Sequence, residues 1–112
     1  MSTPLTLNLP QGSIRFTFSA EAAQTLKASL DGLMTTLKTA AAQAGDTGRR
    51  APQPPLEYRH SGDVFLEVFC NPNIWPSPFA AKVLLTLRDD RIRVTTEAEL
   101  SQIYDDIITY LG

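Results

Sequence analysis

The chain has one cysteine, one histidine, six glycines and no long apolar run among its 112 residues. A single cysteine cannot close an internal disulfide, which excludes a disulfide-stapled secreted scaffold. Cys70 and His60 together fall short of the about four ligands that a Cys/His zinc site needs. Glycine is sparse, and neither G-x-G-x-x-G nor G-x-x-x-x-G-K-S/T occurs, so the usual phosphate-cradling loops are absent. Apolar stretches are broken by Asp, Arg or Pro well short of the ~18 residues of a membrane span. No Lys or Arg precedes Arg15 and no continuous apolar core follows Met1, which argues against a signal peptide. The net charge of −2 supplies no surplus for binding driven by nucleic-acid phosphates. The reading is a soluble protein of a reducing, cytoplasmic compartment, with no nucleic-acid partner, no cofactor, no metal and no direct membrane insertion.

What is present is the composition of a folded domain: 43% hydrophobic and 20% charged residues. A chain of this length buries roughly 65% of its unfolded surface, enough for one core, so residues 1–112 are read as a single domain. Leu5, Leu7 and Leu9, then Ile14, Phe16 and Phe18, alternate with polar residues around Pro10-Gln11-Gly12-Ser13, which predicts a β-hairpin with one buried face. Ser19 is placed to cap the next helix, with Glu21 at the positive end of its dipole. Leu26, Leu30, Leu33, Leu37 and Ala41 make one helical stripe, ended by Gly45 in a left-handed cap. Residues 45–55, with three prolines, read as a mobile loop.

Extended chain resumes from Leu56 to Cys70, with a turn at Ser61-Gly62. A second proline-rich connection follows and carries Trp75. Lys82–Arg88 and Arg91–Thr95 form a hairpin across Asp89-Asp90, with Val83, Leu85, Leu87, Ile92 and Val94 inward. Thr96 and Glu99 have the spacing of a capping box. Beyond them Leu100, Ile103, Tyr104, Ile107, Ile108 and Leu111 form a stripe, with Asp105 and Asp106 on the polar side. The predicted fold is α+β: an antiparallel sheet of about five strands with two helices, in the order ββ-α-β(β)-ββ-α.

One strand carries more apolar surface than one covered face requires. Val64, Leu66, Val68 and Cys70 point one way, Phe65, Glu67 and Phe69 the other, and Leu84 repeats the pattern in the next strand. Either each face of the sheet lies under one helix, or the second face awaits a protein partner, with Phe65, Phe69, Leu84 and Trp75 as its apolar patch. Glu67 at the centre of that face favours the partner, since a carboxylate sealed under a helix needs its own donor.

Catalytic candidates are few. His60 and Cys70 could form a Cys/His pair across one hairpin, although a thiol ending an apolar strand is ordinarily core and His60 reads as an exposed turn residue. Asp89-Asp90 suits a turn, and Glu97 and Glu99 suit a helix start; neither glycosidase nor magnesium chemistry is indicated. Arginine is the unusual polar residue, at seven of the ten bases. Arg91 and Arg93 are placed on the outward face of the last strand, Arg88 across the turn, and Arg49 and Arg50 in the loop. They form either a charged edge that deters aggregation or a docking surface for an acidic partner, since the planar guanidinium pairs well with carboxylates.

The segment from Lys82 to Leu100, KVLLTLRDDRIRVTTEAEL, with the short acidic helix that follows to Leu111, resembles small accessory proteins of cyanobacteria and chloroplasts. The most specific likeness is to the V subunits of the photosynthetic NDH-1 complex, over about a third of the chain. The resemblance implies a cofactor-free peripheral subunit on the cytoplasmic side of the thylakoid membrane, supporting ferredoxin-dependent cyclic electron flow, with acidic ferredoxin as a possible neighbour of the arginines. The reading from sequence is therefore a non-catalytic accessory subunit docking on a larger complex through Arg88, Arg91, Arg93, Arg49, Arg50, Phe65, Phe69 and Trp75. The alternative is a small-molecule-binding or assembly protein of a photosynthetic organism, with a pocket between the sheet and the first helix.

Overall fold

The computed structural model describes residues 2–47 and 52–112. Its elements run β1 (Ser2–Leu9), β2 (Gly12–Ser19), α1 (Ala20–Thr47), β3 (Leu56–His60), β4 (Phe65–Cys70), β5 (Lys82–Arg88), β6 (Arg93–Glu99) and α2 (Leu100–Leu111), with a 3-10 turn at Pro72–Ile74. This is the expected α+β class, but the strands divide into two antiparallel sheets. One is the β1-β2 hairpin, the other a meander in the order β3-β4-β5-β6.

The hairpin forms as its alternation dictates. Leu5 faces Phe16 and Leu7 faces Ile14 across the ladder, with Pro10 and Gln11 in the turn. Leu5, Leu7, Phe16 and Phe18 are buried. Ser19 Oγ accepts the Ala22 N–H at 3.1 Å, the predicted N-cap of α1. The helix is 28 residues long, about 42 Å at 1.5 Å per residue, which sets the 47 Å long axis of the molecule. It continues past Gly45 to Thr47. Glycine weakens a helix by about 1 kcal/mol without forbidding its dihedrals, so the expected stop and the start of the expected loop give way to helix. Leu26, Leu30, Leu33 and Leu37 are buried as predicted, together with Ala40.

Among the described residues the four-stranded sheet is covered on one face only. Tyr58, Leu66, Val68, Cys70, Val83, Leu85, Leu87 and Ala98 point to that face and join the leucines of α1, the hairpin and the apolar side of α2 in one core. Both helices lie there and touch each other. Tyr104 donates to Asp31 Oδ1 at 2.6 Å, and Lys27 holds the other oxygen of that carboxylate at 2.9 Å. These two donors, Lys27 first, keep Asp31 below the ordinary carboxylate range. The Tyr58 hydroxyl donates to the Ala22 carbonyl at 3.2 Å, tying β3 to α1. One helix per face, the first of the two alternatives, is therefore overturned. The reason is the hairpin: it fills one flank of the covered face and carries α2 against β1 rather than across the sheet.

The C-terminal third differs from its local signals in three places. Thr96 and Glu99 are strand residues, paired with Leu85 and Lys82, so the capping box does not form. The ladder supplies backbone partners to the whole segment, and α2 starts directly at Leu100, whose N–H reaches the Ala81 carbonyl at 3.0 Å. Ile92 and Arg91 belong to the turn, not to β6: Asp89 Oδ1 accepts the N–H groups of Arg91 and Ile92 at 2.8 and 2.9 Å. Ile92 is consequently 64% exposed instead of inward. Asp106 is buried, where it accepts from Asn8 N, Asn8 Nδ2 and Gln102 Nε2. Gly112 closes α2 at a positive φ of 91°, its N–H on the Ile108 carbonyl at 3.1 Å.

Candidate docking surface

The outward face of the four-stranded sheet is built in rows by the register. Phe65 lies beside Arg88 and Arg88 beside Arg93. The next row runs Arg59, Glu67, Thr86 and Thr95, and the third runs Glu57, Phe69, Leu84 and Glu97. Each row is two residues, about 7 Å, from the next. The face is therefore basic at one end and acidic at the other, with apolar side chains in both outer rows. Leu84 is 43% exposed, and Phe65 and Phe69 are half-buried.

Glu67 has the donor that its position demands. Arg59, directly across the strand pair, donates its Nε–H to Glu67 Oε2 at 2.7 Å. At the acidic end Lys82 Nζ lies 3.7 Å from Glu97. The basic end has no such compensation: among the described residues no carboxylate lies within 4.0 Å of Arg88, Arg91 or Arg93. Arg88 and Arg93 are ladder partners, and like charges at paired positions are destabilising in the isolated chain. Arg88 is held over the Phe65 ring, its guanidinium carbon 4.4 Å from the centroid, within cation–π range.

The structure thus brings together Phe65, Phe69, Leu84, Arg88 and Arg93 on one open face. Arg91 is next to them in the turn. Trp75 is not part of the patch: the 3-10 turn before it packs on α1, and its ring lies half-buried against the core. Arg49 and Arg50 lie outside the described residues. The sequence places Arg88 across the turn from Arg91 and Arg93 but gives neither its stacking on Phe65 nor Arg93 as its ladder partner. A register count from the Asp89 turn, with a four-residue loop in place of two, is the signal that finds them.

The residues considered for chemistry are separated by the same register. Cys70 pairs with Leu56 and His60 with Leu66, which puts thiol and imidazole at opposite ends of the β3-β4 ladder, about 13 Å apart. His60 is not an exposed turn residue; its ring meets Phe18 edge-on at 5.2 Å. Cys70 is 1% exposed, and burial pushes its thiol up to about 11. In the folded chain a thiol reagent at mildly alkaline pH is expected to leave Cys70 unmodified, with one equivalent taken up only after denaturation; mass spectrometry before and after denaturant reads this. Glu97 lies within β6, while Glu99, its last residue, is also the N-cap position of α2 but makes no side-chain cap hydrogen bond. No group of three or more His, Cys, Asp or Glu that could hold a metal occurs among the described residues. The contact between α1 and the sheet is closed by fully buried Leu26, Leu30, Leu37, Val68 and Leu85, where the alternative reading placed a pocket. No helix among the described residues is long and apolar enough to cross a membrane.

No family model, no curated protein and no solved structure matches the chain.

Proposed function

We propose that the chain is a non-catalytic accessory subunit that docks on an acidic protein partner within a larger complex, through the outward face of the β3-β6 sheet. The observation that carries this reading is the unpaired Arg88–Arg93 couple beside Phe65 on an uncovered sheet face. An oriented arginine pair with no counter-ion of its own gains most from a partner's carboxylates, and adjacent apolar side chains supply the area that charge alone does not. The more specific form, a peripheral subunit of photosynthetic NDH-1 that supports ferredoxin-dependent cyclic electron flow, is supported by the resemblance of residues 82–111 and by the suitability of an arginine corner for an acidic electron carrier.

The test is affinity capture from a native extract of a cyanobacterium, with partners identified by mass. Wild-type chain is expected to retain its partners at low salt and to lose much of them at high salt. The Arg88→Glu/Arg93→Glu double variant is expected to lose them at both, with an unchanged thermal melt. Equal capture by the double variant sinks the surface assignment. Capture that depends on the arginines but contains no NDH-1 subunit removes the specific form alone.

A further inference from the structure

Around the corner from this face, an apolar concavity of about 230 Å³ opens between β2 and the β5-β6 turn. Phe16, Val64, Leu87 and Val94 line it, Ile92 stands at its mouth, and Arg15 and Arg88 bound it. Its size is below the ~300 Å³ at which small-molecule pockets begin, and suits one large side chain used as an anchor. An exposed isoleucine in a turn gains nothing from water, so Ile92, 64% exposed, is apolar surface that an occupant would cover.

The charge at the rim selects the occupant. Two arginines, Arg15 and Arg88, line the concavity against one acid, Asp89, and Arg93 is the ladder partner of Arg88. Asp89 is already engaged by two backbone N–H groups, which hold its carboxyl below the usual range. A bound carboxylate would relieve the like-charge pairing of Arg88 with Arg93 and meet a guanidinium held beside the Phe65 ring.

We infer that this concavity is the anchor site for an acidic peptide segment of the docking partner: one large apolar side chain enters beside Ile92, and carboxylates flanking it pair with Arg88 and Arg15. The inference rests on the docking reading above and names the chemistry that the partner presents there.

The probe is a short fluorescein-labelled peptide of glutamates around one central phenylalanine, titrated with the full chain by fluorescence anisotropy. Binding at low salt is expected, weakened about tenfold by Arg15→Glu/Arg88→Glu, and about tenfold by Ile92→Glu or by alanine in place of the peptide's phenylalanine. Ile92 is exposed, so its variant keeps the fold, and circular dichroism confirms that. Absence of binding overturns the inference, as does equal affinity for the alanine peptide, which would mean attraction by charge alone. Displacement of the peptide by phenylpropionate at equal concentration overturns it in favour of a small anion. Self-association in sedimentation that Ile92→Glu abolishes overturns it in favour of a second copy. If the peptide fails while extract partners still depend on Arg88 and Arg93, the anchor site falls alone; if both fail, the docking reading falls with it.

Discussion

Leu85→Ala is expected to destabilise the isolated chain by about 3 kcal/mol, while Leu84→Ala, one residue away, costs less than about 1 kcal/mol. Leu85 is fully buried at the centre of β5, facing Val68 and Thr96 across the ladders. Its truncation removes three buried heavy atoms, Cγ and the two Cδ methyls, and leaves a cavity between sheet and helices that the packed leucines of α1 cannot close (Leu→Ala in cores costs roughly 2–5 kcal/mol). Leu84 points the other way, 43% exposed, and loses only partial burial between Phe69 and Glu97. Thermal melts separate the two by about 10 °C, at roughly 4 °C per kcal/mol for a domain of this size. Equal losses would mean that the outward face is packed in the free protein, and the one-sided architecture on which the docking reading stands would be wrong.

Asp106→Ala is expected to cost about 2 kcal/mol. Asp106 is 8% exposed. It holds β1 to α2 by accepting from Asn8 N at 2.7 Å, Asn8 Nδ2 at 2.8 Å and Gln102 Nε2 at 3.0 Å. Alanine leaves the Asn8 donors facing a partly buried gap, and hydrogen bonds to a charged acceptor are worth roughly 1.5–3 kcal/mol each before such compensation as water provides. Asn8→Ala alone removes one side-chain donor and costs less. The double variant is expected to fall short of the sum, because both changes break the same contact. Amide exchange at Asn8 would accelerate in Asp106→Ala while the β4-β5 amides keep their protection. A melt within about 0.5 kcal/mol of wild type would show that the clamp contributes nothing.

Asp106 also illustrates where local reading stops. It lies three residues after Ile103 and next to Ile107, so helical spacing alone puts it on the margin of the buried stripe. Its polarity assigns it to the wet side. Only the approach of Asn8, nearly the whole chain away in sequence, provides the donors that let a carboxylate stay inside. Trp75 shows the same limit from the other direction: an apolar ring in a proline-rich connection reads as available for a partner, until the connection folds back on α1.

The segments whose periodicity answers to one dominant force were legible. The β1-β2 hairpin, the leucine stripe of α1 behind Ser19, the strands at 56–60 and 65–70 and the α2 stripe follow from alternation, capping and spacing, and with them the α+β class. Thr96 and Glu99 have capping-box spacing yet join the sheet, because a capping box is a local hydrogen-bonding option and the β5-β6 ladder offers the same backbone more partners at once. Arginine stands out in the composition, at seven of ten bases, and Arg88 and Arg93 share one face. Arg91 left it because Asp89 closes a four-residue turn through its own carboxylate.

Sequence by itself determined the hairpin alternation, the apolar stripes of α1 and α2 and the presence of more apolar strand surface than one covered face needs. It could not determine which face stays open, since Phe65, Phe69 and Leu84 are as apolar as many residues in the core. That was decided by tertiary packing. The hairpin and α2 associate through Asn8 and Asp106, α2 lies against α1 through Tyr104, Asp31 and Lys27, and both helices are thereby held on one side of the sheet. The arginine pair faces outward because none of the described elements covers it.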